Sequence, residues 1–341
     1  MLLAGDVFDS EAADLTSKTA FVRAVARPAA AGIPTVAIRG NHDALLDIEA
    51  HGRAGDGLHV LHEDNPSVRV GDATIHGTSF RGRREAQSSL PRYGPPEGGR
   101  INVGLMHTSL GGAPGHDSYA PVAPSDLLAH GYDYWALGHI HRRSEVRSET
   151  ALAVMAGIPQ GRHVGEPGRG GATLVTIDGL GARAEAIPLA ALAFERVEIE
   201  LDGATQAADL GAIQAVLERA AREGHAVALR VVLRGAGARS MLAGGDPAAV
   251  VREMAAEFPG LHVERVRIEP GGAAEPVVEG LSAAMRREAA EPATRDAAQG
   301  AITALMEALP PEVRGAVGEA GLDAVMADAM ALAQARLPRG A

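Results

Sequence analysis

DYWALGHIHRR, residues 133–143, joins an apolar run to two alternating histidines across one glycine. Tyr134, Trp135, Ala136 and Leu137 have the composition of a buried strand. Gly138 lets a neighbouring backbone come close. On an extended segment His139 and His141, two residues apart, face the same way. A pair of histidines so spaced is weak testimony to a metal until ligands of other kinds join it.

Three further stretches repeat the order of apolar strand, glycine and polar ligand types. Leu2-Leu3-Ala4-Gly5-Asp6 runs on to Asp9, Thr35-Val36-Ala37-Ile38-Arg39-Gly40 runs on to Asn41-His42-Asp43, and Ile101–Met106 ends at His107. All four polar clusters fall at the C-terminal ends of short apolar runs, where open α/β sheets place their ligands.

The 341 residues suffice for about two domains, and a hydrophobic fraction of 46% is that of a globular chain. With no cysteine in the sequence, disulfides, thiolate metal sites and cysteine nucleophiles are excluded. No apolar stretch of about 18 residues is present to span a membrane, and Met1–Asp6 lacks the features of a signal peptide. The expected compartment is the cytoplasm. The net charge of −11 excludes a broadly basic nucleic-acid-binding surface, so any contact with DNA falls to local arginines and metal ions. Lys18 is the single lysine; a GC-rich genome explains the preference for arginine as well as phosphate binding does.

Taken in order, the chain gives a helix at Thr16–Ala31, a strand at Thr35–Ile38, short strands to His76, a strand at Ile101–Met106, and a helix at Ser125–His130 capped by Ser125. Strands at Ala151–Met155, Ala172–Ile177 and Ala184–Pro188 follow. The expected fold class is α/β, an α+β sandwich of two sheets flanked by helices. Composition shifts near Phe194. Residues 1–192 form a first domain, 193–270 a small βαβαβ domain, and 271–341 an alanine-rich helical tail with a Leu/Met stripe at 322–337. The stripe packs within its own bundle or docks a partner helix.

Asp6, Asn41, His107, His139 and His141 form a set of hard oxygens and imidazoles suited to Mn²⁺, Fe²⁺ or Zn²⁺. A two-metal site needs a bridging carboxylate, and Asp6 is the candidate. His42, beside a ligand, is placed to protonate a leaving group, and Asp43 to hold its imidazole in one tautomer. Arg81, Arg83 and Arg84 follow a strand and either track phosphates or line a solvated loop; Arg162 and His163 carry the same pair of readings. His116 is a substrate-loop contact or a surface histidine.

Gly5-Asp6-x-x-Asp9, Gly40-Asn41-His42-Asp43, a strand ending in His107, and Gly138-His139-x-His141 together resemble the calcineurin-like metallophosphoesterase signature, in the family's order. LLAGDVFDS (2–10), RGNHD (39–43), His116 with Tyr119-Ala120-Pro121, YDYWALGHIHRR (132–143) and PQGRH (159–163) are similar to the SbcD-type DNA exonucleases, in particular their YhaO-like branch. The resemblance covers residues 1–190 well and the next domain loosely. It implies two divalent ions, Mn²⁺ foremost, with Asp6 bridging, Asn41, His107 and His139 completing one ion, His141 on the other, and His42 catalytic. It also implies a DNA substrate, an SbcC-like coiled-coil ATPase as partner, a homodimer, and a middle domain that caps the site.

The family begins with a strand carrying Asp-x-His, and no such motif precedes Gly5-Asp6. The expectation is therefore one nearly complete metal position and one impaired position. A phosphoesterase with a small or protein-bound substrate, and a catalytically weak scaffold, are the alternatives.

Overall fold

The computed structural model describes residues 1–10, 13–48, 57–111, 119–222, 224–269, 284–308 and 322–335. The chain divides into two compact units: residues 1–160 with 169–190, and residues 161–168 with 191–341.

In the first unit, strands β1 (Leu2–Ala4), β2 (Thr35–Ile38) and β3 (Leu58–Val60) form a parallel sheet in that order. Helix α1 (Leu15–Ala30) makes the first crossover. The Asp14 carboxylate caps it, accepting from Ser17 N–H at 2.6 Å, and Phe21 and Val25 are buried one turn apart. A second sheet has the order β4-β5-β6-β7-β9-β8, built from Ser67–Val70, Ala73–Gly77, Ile101–His107, Tyr134–Gly138, Leu152–Met155 and, at the far edge, Ser144–Arg147. Its four central strands are parallel and both edge strands antiparallel. A hairpin of β10 (Gly171–Asp178) and β11 (Gly181–Pro188) completes the unit. The expected fold class holds.

The second sheet is buried on both faces, which explains why Tyr134–Leu137 is apolar throughout instead of alternating. Tyr134 and Ala136 join Val36, Ile38, Val103 and Leu105 in the core shared by the two sheets. Trp135 and Leu137 turn the other way, into a core with Met106, Tyr132 and Leu127. Helix α2 (Pro124–Leu128) starts one residue before the expected cap. Pro124, with its φ preset, takes the first helical position, and the Ser125 hydroxyl donates instead to Asp126 at 3.3 Å.

The second unit contains a parallel sheet of β12 (Leu192–Glu200), β13 (Ala226–Arg234) and β14 (Leu261–Glu269) in that order. The crossovers run through α3 (Gln206–Ala221), α4 (Gly235–Gly244) and α5 (Pro247–Ala255). Ile213, Leu217 and Val251 from the helices meet Leu229, Val231 and Leu233 of the central strand. The sequence pattern does not signal α4, GAGARSMLAG, whose glycines argue against a helix. Ala238 and Leu242, one turn apart and both buried, hold it helical by packing. Two further helices, Pro292–Ala308 and Leu322–Ala335, are joined by the Arg295–Asp323 pair at 2.6 Å. No described helix is long and apolar enough to cross a membrane.

Candidate metal centre

The four ligand-bearing motifs sit at the C-terminal ends of β1, β2, β6 and β7. Two glycines permit the ends to converge. A Cβ at Gly138 would overlap the Ala4 carbonyl oxygen, so the end of β7 abuts the end of β1. A Cβ at Gly40 would overlap Asp6 Oδ1 and stand 2.6 Å from His107 Cε1. The backbone is strained where the ligands are presented: Asp6 has φ 51° and His139 φ 103°, both in the left-handed region.

His107, buried, donates its Nδ1–H to the Ala4 carbonyl at 2.8 Å. That bond fixes the tautomer and leaves the Nε2 lone pair facing Asn41 Oδ1 at 2.9 Å and Asp6 Oδ2 at 3.3 Å. His139 Nδ1 lies 3.2 Å from the same Asn41 oxygen. The ligand atoms of Asp6, His107 and His139 all fall within 4.8 Å of one another. Lone pairs of two oxygens and an imidazole nitrogen thus meet across a gap that a second proton on His107 or a metal ion would settle. Two hard oxygens with two imidazoles suit a divalent ion of the Mn²⁺, Fe²⁺ or Zn²⁺ kind, and these residues fit one.

Burial alone would raise the Asp6 carboxyl pKa. The hydrogen bond and charge of His107, with the His42 N–H donated to Oδ1 at 2.9 Å, outweigh it and hold the group below the ordinary carboxylate value. Asp43 is buried and its pKa raised, first by that burial and then by the charge of Asp6. Its two oxygens accept N–H from Gly40 at 2.7 Å, Val7 at 2.7 Å and Phe8 at 3.4 Å, lacing the loop after β2 to the loop after β1.

The geometry reassigns one expected role. His42 is exposed, and its Nδ1–H donates to the Asp9 backbone carbonyl at 2.8 Å, not to Asp43. Nε2 is left to face solvent or substrate. His141 also departs from the alternation expected of it: β7 stops at Gly138, His139 takes its positive φ, and His141 is exposed outside the group formed by Asp6, His107 and His139.

Two aromatic side chains that the sequence pattern does not single out as site residues flank the imidazoles. Phe80 meets His107 edge-on with centroids 5.2 Å apart, and Tyr119 lies 5.1 Å from His139. Phe80 leads into the loop bearing Arg81, Arg83 and Arg84, all exposed; Arg81 pairs with Glu63. Arg162 and His163 belong to the second unit, where both approach Glu166. His116 lies outside the described residues.

The chain is 29% identical over 245 residues to the uncharacterized metallophosphoesterase YhaO of Bacillus subtilis (strain 168). That similarity takes in 69% of this chain and 59% of the relative, so the chain spans less than two thirds of the relative's length. The family described as calcineurin-like phosphoesterase matches residues 1–143, a range that holds all four strand ends and every ligand of the cluster. The residues of the candidate metal centre therefore all lie within the stretch that is similar to the calcineurin-like phosphoesterase family.

Proposed function

We propose that the chain is a metal-dependent phosphodiesterase acting on DNA, the exonuclease subunit of a repair complex with an SbcC-like coiled-coil ATPase. The convergence of Asp6, Asn41, His107 and His139 carries the hydrolytic part of this reading. These four would hold one divalent ion, with Mn²⁺ our choice, and Asp6 and His141 would contribute to a second. A divalent ion there supplies Lewis acidity, activating water and neutralising phosphoryl charge.

The chain's own residues do the rest. Asp43 keeps the loops after β1 and β2 in register, so that Asp6 and Asn41 approach the same point. His42, oriented through Nδ1, carries on Nε2 the proton that the leaving oxygen takes up. Arg83 and Arg84, exposed on the loop that follows Phe80, would contact neighbouring phosphates. The similarity to SbcD-type enzymes supports the DNA substrate, the ATPase partner and the homodimer.

The net charge of −11 favours a second reading, a small or protein-bound phosphate ester as substrate. The two separate on one plate. The protein with Mn²⁺, and with chelator as control, is given linear duplex DNA and bis(p-nitrophenyl) phosphate. Nucleotides released from DNA ends, and lost in His107→Ala, are the expected result. Hydrolysis of the small ester with no DNA cleaved overturns the nuclease reading and retains the hydrolase.

A further inference from the structure

We propose that Tyr119 is a positioning residue that sets the metal affinity of the centre by fixing the His139 ring. The inference rests on the metal centre described above.

His139 needs such a support. It follows the last residue of β7, and its φ of 103° is one that L residues seldom adopt. Its ring meets the His107 ring at 5.0 Å and 69° on one side and the Tyr119 ring at 5.1 Å and 59° on another.

Tyr119 is in turn held with unusual completeness. Ser109 N–H donates to the Tyr119 carbonyl at 2.9 Å, and Tyr119 N–H donates to Ser109 Oγ at 3.0 Å. The next residue, Ala120, is fully buried at φ 40°. Its N–H donates to the Glu85 carbonyl at 2.6 Å, and its own carbonyl accepts from Thr108 Oγ1 at 2.8 Å. Every backbone polar group of residues 119 and 120 is thus committed to a distant segment. A left-handed alanine costs of order 1 kcal/mol and persists only where its surroundings over-determine it.

Thr108 and Ser109, which supply three of the four bonds, directly follow the ligand His107. The supports therefore close on themselves: His107 leads to Thr108 and Ser109, these clamp Tyr119, Tyr119 packs on His139, and His139 packs on His107. A ligand so braced loses little freedom when it takes up an ion, and removing such support characteristically costs about 10–100-fold in metal affinity.

The test titrates Mn²⁺ into the whole chain by calorimetry, or by the EPR signal of the free ion, for four proteins: unchanged, Tyr119→Phe, Tyr119→Leu and His139→Ala. Unfolding of the metal-free proteins reports any loss of fold. Tyr119→Leu is expected to bind Mn²⁺ about tenfold more weakly, with metal-free unfolding near that of the unchanged protein, and Tyr119→Phe to bind as the unchanged protein does. Full affinity in Tyr119→Leu beside lost affinity in His139→Ala overturns the positioning role and leaves the metal centre standing. Weakening in Tyr119→Phe equal to that in Tyr119→Leu transfers the effect to the hydroxyl and also overturns it. Unchanged affinity in His139→Ala removes the metal centre itself. Should Tyr119→Leu unfold, Tyr119→Met serves in its place.

Discussion

Gly40 stands where no side chain fits, between the Asp6 carboxylate and the His107 ring. Gly40→Ala must push both aside, and we expect it to lower Mn²⁺ affinity by tenfold or more on the order of a lost ligand support, read by the same titration. His76 gives a prediction of another kind. It is buried, stacked on Tyr132 at 4.5 Å and bonded to Asn102 Oδ1 at 3.1 Å. Burial chiefly lowers its pKa from the ordinary 6.5, against the opposing pull of Asn102 and Glu97. The unfolded chain therefore takes up the proton first, and stability contributed by the neutral ring is whole above pH 6.5 and lost as pH falls through the lower folded value. His76→Gln should flatten the fall of the urea midpoint between about pH 7 and pH 5; an unaltered fall would show that other groups govern it. The ligand types could be read in the sequence because each stands at the end of its own strand or within three residues of it. The partner of His42 was not, because the choice between the Asp43 carboxylate and the Asp9 carbonyl depends on loop backbone that no side-chain pattern encodes. Phe80 was hidden for the same reason, since an aromatic residue in a loop carries no period, and Tyr119 stood in a quoted motif without a role.

At the scale of elements, the strand ends do more than present ligands. Gly138, which closes β7, lies against the carbonyl of Ala4, which closes β1, and so brings an end of each sheet together. Gly138→Ala sets a methyl group against backbone instead of a yielding side chain. It is expected to destabilise the first unit by about 1–3 kcal/mol and to weaken the metal centre at the same time, measured by urea unfolding and Mn²⁺ titration. A loss of stability with the metal affinity intact would mean that β1 and β7 shift without carrying Asp6 and His139. Apolar runs made β1, β2, β6, β7 and β9 readable within a residue or two, whereas β11 begins three residues before the expected Ala184 and β8 was not expected. Helix α4 was invisible because its glycines oppose it locally and only the burial of Ala238 and Leu242 favours it. The Ser125 cap was misplaced because a proline one residue earlier also starts a helix well.

Over the whole molecule, the division into two units predicts how the protein responds to heat. All the ligands lie in residues 1–160, in the first unit. Mn²⁺ at about a hundred times its Kd stabilises whatever binds it by about 2.7 kcal/mol. Calorimetry should show one transition that moves upward with Mn²⁺ and another that does not. A single transition moving as a whole would mean that the units melt together. A change of composition near Phe194 was readable, and the second unit resumes at Ala191. The excursion of residues 161–168 into the second unit was not, since eight residues with no period or repeat carry no label of where they will pack.

That excursion has a consequence during synthesis. Gly168 donates its N–H to the Phe194 carbonyl at 2.8 Å, so the segment 161–168 finds its partner only after the β10–β11 hairpin of the other unit has been made. At translation rates of about 5–20 residues per second, Gly168 precedes Phe194 from the ribosome by about one to five seconds. For that interval a short piece of the second unit waits on a growing chain that has already finished the metal centre's strands. A gene cut at the composition boundary would leave it waiting for good.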